Sequence, residues 1–374
     1  MPIDGFDVAV IGGGIAGVSA ACFTAPDRSV LLLEQERELA YHTTSRSAAM
    51  YLEDEGRPVF HRLSMASREF FEADHPELDA PLVDPLPVLK VGTAENHDEF
   101  AEAAATQVTG KIRLVDEIEL RELCPVLRPG VATVGLYEAT AASVDVMALH
   151  QLFLRRARAA GAEVRRSARV TGIERRDGRW RLATATREVW ADVVVDAAGA
   201  WGDEIARMAG VQPVGLTPMR RTAFTSPVDT DPTGWPFVYA PSSRLHCYFK
   251  PEAGNQLLCS LADEGASDPC DARPEEVDVA QAIDHINELT TLGLRSVGRA
   301  WAGLRTFAPD RDPVFGWDDR VDGFLWMVGQ GGTGIVSAPA AGEIAAGLIA
   351  GRPLPPSVTD LGLTESQLAP RRRP

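Results

Sequence analysis

Three glycines and one acid near the start of the chain have the types and spacing that would hold a dinucleotide. Gly12, Gly14 and Gly17 form the pattern G-x-G-x-x-G. The first glycine permits a tight turn, the second lets a pyrophosphate approach backbone N–H groups, and the third lets a helix pack closely against a sheet. Glu34 is placed to accept hydrogen bonds from a ribose diol. These residues predict a phosphate-binding turn, where a helix N-terminus also favours negative charge.

The elements around the glycines decide how specific the pattern is. Alone, G-x-G-x-x-G is a weak signal, and its alternative is an ordinary glycine-rich turn. Here an apolar strand at 7–11 precedes it, a helix of small residues follows, and a second apolar strand at 30–33 leads directly to Glu34. This order is typical of the strand–helix–strand unit that binds dinucleotides.

Two later segments indicate that the dinucleotide is FAD. Residues 189–201 read as a buried strand that ends in a turn of small residues, and they resemble the second nucleotide-side motif of flavoproteins. Residues 323–335 read as another strand and glycine turn, followed by a helix whose N-terminal dipole would face the electron-rich end of a reduced flavin. Either segment alone could be a plain strand-to-helix turn, but three units in this order favour FAD. No cysteine lies in the last turn, so we expect noncovalent FAD.

Length, charge and cysteine content narrow the class of protein. The 374 residues, 45% of them hydrophobic and 24% charged, are enough for a large core and about two domains. A net charge of −16 argues against a nucleic-acid partner or an anionic membrane surface. No signal peptide is visible, and no window reaches the roughly 18 apolar residues of a membrane helix. We therefore expect a cytoplasmic protein with no membrane span. The cysteines are scattered without metal-ligand spacing, which fits reduced cytoplasmic thiols and no metal site: Cys22, Cys124, Cys247, Cys259 and Cys270.

The order of strand and helix patterns predicts an α/β protein. A Rossmann-type FAD-binding domain is interleaved with a substrate domain built on an antiparallel sheet, and a ligand would lie at their boundary. The FAD-binding domain is assigned to 1–85, 140–211 and 310–374, and the substrate domain to 86–139 and 212–309. Individual elements follow from periodicity and turn residues. They are helices at 59–72, 96–106, 117–123 and 144–160, a strand at 88–92, and a hairpin turn at 176–179.

Five segments resemble the D-amino-acid oxidase and dehydrogenase family of FAD enzymes, which includes glycine oxidase-like members. They are 41–49, 218–224, 248–251, 301–305 and 330–335. Within the family, the pattern is most similar to that of bacterial D-arginine dehydrogenases, and the resemblance covers nearly the whole chain. It implies noncovalent FAD and hydride transfer from the α-carbon of an amino acid to flavin N5. The product would be an imino acid, which hydrolyses to a keto acid and ammonia.

The resemblance assigns a carboxylate-binding role to Arg221 and Arg305, and a third donor to Tyr248. A planar guanidinium binds a carboxylate through two parallel hydrogen bonds and so orients the α-carbon. The alternative is that both arginines are surface charges. Arg220 leaves the choice between neighbours open, because only one of two consecutive strand residues can face a cleft. His246 shares a strand face with Tyr248 and would orient substrate or take a proton, unless it is a hydrogen-bonded surface histidine.

The resemblance also implies a set of further cofactor contacts. They are His42, Ser45, Arg46, Ser47, Ala49, Val170, Ala198, Gly199, Trp201, Gly331, Gly332, Gly334 and Ile335. Oxidases of the family often place a lysine near flavin N5. Lys90 and Lys250 are the lysines in the suspected region, and Lys250 also occurs in the dehydrogenase-like pattern, so we favour a dehydrogenase with an unknown electron acceptor.

Three departures from the D-arginine dehydrogenase pattern concern the substrate. Met50 replaces a histidine, Glu55 replaces a lid tyrosine, and Val88 replaces the glutamate that holds the substrate guanidinium. Losing that acid predicts a neutral or apolar substrate side chain, with the D-isomer expected from the resemblance. Glu55 could restore a negative group from another direction, and its alternative is a solvated loop glutamate.

Three functions therefore remain open. The first is an FAD-dependent 2-amino-acid dehydrogenase or oxidase. The second is a related flavoenzyme that oxidises an N-alkyl or cyclic amino acid, a 2-hydroxy acid or a larger acid. The third is an FAD-binding subunit that is active only with a partner chain. Arg221, Arg305 and Tyr248 together favour the first two, because an idle subunit has no need of a carboxylate site.

Overall fold

The computed structural model describes residues 5–52, 57–106, 110–242 and 244–371. Its strands are β1 (Gly5–Ile11), β2 (Val30–Leu33), β3 (Met50–Tyr51), β4 (Val83–Pro85), β5 (Val88–Gly92), β6 (Ile112–Asp116), β7 (Val134–Glu138), β8 (Ala142–Val144), β9 (Glu163–Arg165), β10 (Val170–Arg176), β11 (Arg179–Thr184), β12 (Glu188–Asp196), β13 (Thr217–Pro227), β14 (Phe237–Pro241), β15 (His246–Glu252), β16 (Gln256–Ser260), β17 (Gly265–Ala266), β18 (Ala300–Phe307), β19 (Val314–Trp317) and β20 (Phe324–Val328). Its helices are α1 (Ile15–Thr24), α2 (Pro58–Ala66), α3 (Arg68–Glu72), α4 (His97–Thr106), α5 (Glu117–Leu123), α6 (Val146–Ala159), α7 (Gly202–Met208), α8 (Glu276–Leu289), α9 (Ala338–Ile349), α10 (Pro356–Thr359) and α11 (Glu365–Leu368).

A largely parallel sheet gathers the three nucleotide-side segments. β1 pairs in parallel with β2 and β12, and β12 pairs in parallel with β20. The full order is β10-β11-β12-β1-β2-β9, with β19 beside β20. All four residues of β2 are buried, as expected of a parallel strand covered on both faces. Because parallel strands end at one edge, the turns after β1, β2 and β12 meet there.

Small residues let the helices of this half pack closely. α1 contacts both α6 and α9. A Cβ on Gly342 of α9 would lie 2.5 Å from the Phe23 ring, and one on Gly17 of α1 would lie 1.8 Å from the Gly12 carbonyl oxygen. The third glycine of the motif therefore has the close packing that the sequence predicts.

A second sheet, mostly antiparallel, lies on the other side of the cleft. Its order is β17-β13-β16-β15-β14-β5-β7-β6, and β18 pairs with β13. Strands β5 and β14 are parallel, and α8 packs on β13, β15 and β16. A small third sheet, β3-β8-β4, completes the fold. The α/β class, with a Rossmann-type sheet interleaved with an antiparallel one, is confirmed.

Most of the expected elements form, with shifted ends. The strand at 88–92 and the helix at 117–123 are confirmed, and the turn at 176–179 joins β10 to β11. The helices expected at 96–106 and 144–160 are His97–Thr106 and Val146–Ala159.

Two helix expectations need correction. The helix expected at 59–72 is broken at Ser67, whose hydroxyl donates to the Leu63 carbonyl and accepts the Ala340 N–H. The helix expected directly after the last glycine turn begins only at Ala338, because turns occupy the residues after Gly334. Helix α8 was not expected, because it lies within 212–309, the segment assigned to the antiparallel sheet.

Two of the bulk expectations can be compared with the described residues. No helix among them is long and apolar enough to cross a membrane. All five cysteines are free thiols, four of them buried and Cys270 exposed.

The close approach of α1 to the glycine turn generates a stability prediction. Gly17→Ala should lower the urea midpoint of the apoprotein, by an amount that corresponds to about 1–3 kcal/mol, because the new methyl group overpacks against backbone. Gly347→Ala is the matched control, since its Cβ would lie 3.5 Å from the nearest atom. The control should be neutral or stabilising by up to about 1 kcal/mol. Equal effects of the two substitutions would contradict the packing argument.

Candidate active site

Three adjoining cavities run along the cleft from the glycine turn to the antiparallel sheet, and their volumes include space that is open to solvent. The first, of about 890 Å³, lies at Gly12 and Glu34. The middle cavity, of about 880 Å³, shares Gly14 with the first. The outer cavity, of about 1300 Å³, shares Arg305 and Tyr248 with the middle one. The shared residues make one continuous space, long enough in outline for an elongated cofactor and a small ligand beside it.

The glycine turn is held by hydrogen bonds to the acid at the end of β2. Gly12 has a φ of 110°, a region that favours glycine, and a Cβ there would lie 2.4 Å from the Ala197 carbonyl oxygen. The Glu34 carboxylate accepts the N–H of Gly13 at 2.6 Å and that of Glu36 at 2.8 Å. A carboxylate has about four acceptor positions, so Glu34 can also accept from a sugar hydroxyl.

The short 3₁₀ helix Thr43–Arg46 closes the other side of the turn. The hydroxyl of Thr44 accepts the Ile15 N–H at 3.0 Å, at the start of α1. The hydroxyl of Thr43 donates to the Leu304 carbonyl at 2.8 Å. This helix therefore joins α1 to β18, across the cleft. Neither threonine was among the expected contacts, although both line the first and middle cavities.

The structure brings most of the expected cofactor residues to the cavity walls. Those at the first cavity are Gly12, Gly14, Glu34, His42, Val170, Ala198, Gly199 and Trp201. Those at the middle cavity are Gly14, Arg46, Ser47, Gly331, Gly332, Gly334 and Ile335. Ser47 and Ala49 line the outer cavity.

Three expected contacts are placed differently. Gly17 lies beneath the turn. Ser45 is exposed, and its hydroxyl lies 3.5 Å from the His42 carbonyl. Neither residue is among the described cavity-lining residues. Arg46 lines the middle cavity, but its guanidinium donates to the Ala302 carbonyl and to Asp271. The bond to Ala302 holds the 3₁₀ helix against β18, and this structural role of the Arg46 charge was not predicted from the sequence.

The two arginines expected to bind a carboxylate come from paired strands. Met219 lies opposite Arg305 and Arg221 lies opposite Gly303, so Arg221 and Arg305 project from the same face of the β13–β18 pair. Arg221 donates from Nε to the Asp263 carbonyl at 2.7 Å and lines the middle and outer cavities.

Arg220 faces the other way. Its guanidinium lies 2.6 Å from Glu275 and 3.4 Å from Asp278, at the start of α8. The open choice between the two neighbours is thus resolved in geometry: Arg221 reaches the cleft and Arg220 anchors a helix.

Arg305 and Tyr248 complete the wall where the middle and outer cavities join. A Cβ on Gly332 would lie 3.1 Å from Arg305 Cζ, so the guanidinium lies directly against that glycine. Tyr248, on β15, stacks on Phe237 with ring centroids 5.2 Å apart. Three donors, from Arg221, Arg305 and Tyr248, therefore face one space.

His246 lies behind this wall. It is not among the described residues lining the cavities, and its Nε2 lies 3.4 Å from the hydroxyl of Tyr239, which does line the outer cavity. Burial and the nearby positive charge of Arg221 lower the pKa of His246. The ring is accordingly neutral near pH 7.

The three substrate-pocket residues have different positions. Met50 lines the outer cavity. Val88 is buried beside Phe237 and Tyr248, in the hydrophobic cluster behind that cavity rather than on its described lining. Glu55 lies outside the described residues. Further apolar residues line the outer cavity: Leu52, Phe60, Phe237, Phe307, Ile335 and Val336.

Glu264 at the outer cavity was not predicted, because no motif in the sequence marks it. Glu264 lies 3.2 Å from Arg221 and 2.9 Å from Arg311, so it bridges the two guanidinium groups. Arg311 has a φ of 64° and lies over the Phe307 ring, 3.9 Å from its centroid. Arg57, also at this cavity, pairs with Asp312 at 2.7 Å. The wall therefore carries arginines from three separate parts of the chain.

Neither expected lysine lies on a described cavity wall. Lys250 is buried, with Nζ 3.1 Å from Glu252 and 3.5 Å from the Ser143 hydroxyl. Lys90 Nζ lies 6.0 Å from the Tyr239 ring centroid.

Buried polar atoms in the cavity walls test whether a cofactor fits. Within the described residues, Gln330 Nε2 and Thr306 Oγ1 at the middle cavity, and His42 Nδ1 at the first, have no hydrogen-bond partner. Buried polar groups normally have partners, so these positions favour a ligand that supplies polar atoms along the cleft. Together with the open approach at Gly14, they fit FAD.

Comparison with known proteins gives the same cofactor. Residues 7–348 match the DAO family, described as FAD dependent oxidoreductase. Glycine oxidase of Bacillus licheniformis is 25% identical over 366 residues, covering 93% of this chain and 94% of that protein. Hydrogen cyanide synthase subunit HcnC of Pseudomonas aeruginosa is 26% identical over 319 residues, covering 80% and 72%. The structure of L-proline dehydrogenase from P. horikoshii superposes with a TM-score of 0.84 at 21% identity, over 99% of this chain and 98% of that one.

The cleft generates a prediction about the state of the cofactor. The purified protein should be yellow, and acid precipitation should release FAD into the supernatant, because no cysteine lies on the described cavity walls. Chromatography of the supernatant against FAD, FMN and NAD standards checks the identity. Colour that stays in the pellet would contradict noncovalent binding, and bound NAD without flavin would contradict the assignment of the cofactor.

Proposed function

The chain belongs to the DAO family of FAD-dependent oxidoreductases, and from that premise we propose that it oxidises a 2-amino acid at the α-carbon. Bound FAD supplies the two-electron acceptor, to which the α-hydrogen passes as hydride. The released imino acid hydrolyses to a keto acid and ammonia. The observation that carries the proposal is the convergence of Arg221, Arg305 and Tyr248 where the middle and outer cavities join.

The arginines would hold the substrate carboxylate. Charge-assisted hydrogen bonds from a guanidinium are about twice as strong as neutral ones and fix the plane of the carboxylate. Arg221 is braced by the Asp263 carbonyl and Arg305 lies against Gly332, so both enter the reaction already ordered. Their strands pair in register, which keeps the distance between them constant. Binding at two or three fixed points orients the α-carbon, and such positioning is a major part of rate enhancement.

His246 would affect the substrate indirectly, through Tyr239. Its neutral ring lies beside the Tyr239 hydroxyl, and a tyrosine held in this way presents a fixed polar atom to the outer cavity. We propose that His246 positions the Tyr239 hydroxyl at the wall of the outer cavity, where that hydroxyl would meet the substrate.

The side chain of the substrate would be neutral or apolar. Met50 and Phe237 present hydrocarbon to the outer cavity, and the Glu264 carboxylate on its described wall is already paired with Arg221 and Arg311. A cationic side chain would meet an apolar wall and would compete with two arginines for that carboxylate. The within-family resemblance to D-arginine dehydrogenases supports the D-isomer, but this wall argues against D-arginine itself.

A dehydrogenase is proposed in preference to an oxidase. No lysine lies among the described residues of the middle cavity, and both candidate lysines are placed elsewhere. The electron acceptor would then be a partner other than O₂.

The lining of the outer cavity suits a second candidate. Leu52, Phe60 and Val336 extend its apolar surface beyond the two arginines, which leaves room for an N-alkyl or cyclic amino acid or a larger acid. The likeness to L-proline dehydrogenase agrees with a cyclic amino acid as substrate. The likeness to a hydrogen cyanide synthase subunit agrees with the third function, a subunit that needs a partner chain. Oxidation of a 2-hydroxy acid would use the same carboxylate site.

The test of the proposed function is anaerobic bleaching of the bound flavin. D- and L-amino acids, N-alkyl glycines, proline and 2-hydroxy acids are mixed with the holoprotein, and turnover is then followed with an artificial acceptor and by peroxide release. Bleaching by amino acids supports the first candidate, and bleaching by N-alkyl or cyclic amino acids alone supports the second. If only added partner proteins permit bleaching, the isolated-enzyme proposal is wrong.

Removing either carboxylate-binding arginine should impair catalysis without loss of FAD. Truncating one member of a buried charged contact costs several kcal/mol, and each 1.36 kcal/mol is tenfold in rate. Arg221→Ala and Arg305→Ala should each lose at least about a hundredfold in kcat/KM. Arg220→Ala is the matched control, since its guanidinium pairs with α8, and its kcat/KM should change by less than about tenfold. Near-normal activity of Arg221→Ala, with loss in the control, would reverse the assignment.

Substrate comparison tests the neutral pocket. D-methionine, D-leucine and D-phenylalanine should exceed D-arginine and D-lysine in kcat/KM by at least about tenfold, because a buried unpaired cation costs several kcal/mol. The comparison is repeated with Glu55→Gln. A lead for D-arginine that falls selectively in Glu55→Gln would show that Glu55 has taken over the lost acid, and the neutral-pocket proposal would be wrong.

A further inference from the structure

We propose that His150 is a positioning residue for the glycine turn, and that it aims the Gly14 N–H into the cofactor cleft. Nothing in the G-x-G-x-x-G pattern involves this histidine, which lies far along the chain on α6. The inference requires only that the chain binds FAD. It does not depend on which substrate is oxidised.

His150 makes a single directed contact. The residue is fully buried, and its Nε2 lies 3.0 Å from the carbonyl oxygen of Gly13. Because a carbonyl can only accept, Nε2 carries the proton. Within the described part of the chain, Nδ1 is buried and without a hydrogen-bond partner. Burial lowers the pKa of the ring, so the neutral Nε2–H tautomer is the form that holds the turn.

The Gly13 residue is fixed at both of its polar atoms. Its carbonyl accepts from His150 and also from the Ala40 N–H at 3.1 Å. Its own N–H donates to the Glu34 carboxylate at 2.6 Å. The middle residue of the turn is therefore tied to α6 on one side and to the end of β2 on the other.

Peptide geometry carries the effect to the next residue. A trans peptide is planar, and its N–H points opposite to its C=O. The Gly13–Gly14 peptide is trans, and its carbonyl is held toward α6 and Ala40. The Gly14 N–H must then point the other way. Gly14 lines both the first and the middle cavity, and a Cβ there would meet only Thr44 Oγ1, at 3.2 Å. The exposed side of this peptide is thus the one that faces the cleft.

An ordered N–H binds an anion better than a mobile one, because the ordering free energy is already provided by the fold. The neighbours of His150 on the buried face of α6 are apolar: Leu149, Leu152 and Phe153. An apolar residue in its place would remove one of the two hydrogen bonds to the Gly13 carbonyl and leave the peptide less firmly oriented. We therefore assign His150 to the binding of the FAD pyrophosphate, by orientation and not by contact.

The test compares His150→Gln, which keeps a donor at a similar distance, with His150→Leu, which has none. The dissociation constant of FAD from each apoprotein is measured by quenching of flavin fluorescence, and thermal unfolding of the apoproteins is measured in parallel. The expected result is a loss of affinity of at least about tenfold in His150→Leu and of less than about threefold in His150→Gln. Leu152→Ala is the control: it removes buried volume from the same helix and should lower the unfolding temperature with little change in FAD affinity.

Three results would overturn the proposal. They are wild-type FAD affinity in His150→Leu, equal losses in the glutamine and leucine variants, and a loss in Leu152→Ala as large as that in His150→Leu. If His150→Leu does not fold, a crystal structure of the wild-type holoprotein decides the question. The proposal requires Gly13 to remain bonded to His150 while the Gly14 N–H donates to a phosphate oxygen, and a flipped peptide would contradict it. Failure of this test leaves the amino-acid oxidation proposal untouched, because the two rest on different residues.

Discussion

The site depends on β18, because this strand is hydrogen-bonded to both halves of the protein. On one edge it pairs with β13, which fixes Arg221 and Arg305 on a common face. On its other side, Thr43 and Arg46 bond to carbonyl groups of the strand, and Phe307 forms an isolated bridge with Gln330. The face that carries Arg221 and Arg305 and the glycine turns on the nucleotide side are thus held in one frame. A ligand that needs both, a flavin with an acid beside it, meets them at a fixed separation.

The polar and charged groups at the first cavity differ from those at the outer cavity. At the first cavity the polar groups include the backbone of the glycine turn and the Glu34 carboxylate, which suits phosphate and ribose. At the outer cavity the charges are arginines, with Glu264 bridging Arg221 and Arg311. That bridge keeps two like charges close together. The chain has a net charge of −16, so this local excess of arginine is a property of the site and not of the surface.

How much could be predicted depended on whether the signal was local. Glycine spacing and continuous apolar runs gave the first sheet, since buried parallel strands leave that pattern. Helix α8 was missed although Glu276 and the apolar spacing of Ala282, Ile286 and Leu289 mark it, because strand-like neighbours dominated the reading. The choice between Arg220 and Arg221 could not be made from sequence, because it depends on which face of β13 meets α8. His150 reads as a core histidine until the Gly13 carbonyl is placed beside it.

The central claim is that one carboxylate site, formed by β13 and β18, lies beside the cofactor. The most direct measurement is a crystal structure of the FAD-bound protein with a carboxylate-bearing ligand that cannot be oxidised, such as benzoate. The account predicts the carboxylate within hydrogen-bond distance of Arg221 and Arg305 at the junction of the middle and outer cavities, next to the flavin ring. A carboxylate bound only at Arg57 or Arg311, or a flavin ring that lies outside the middle cavity, would contradict it.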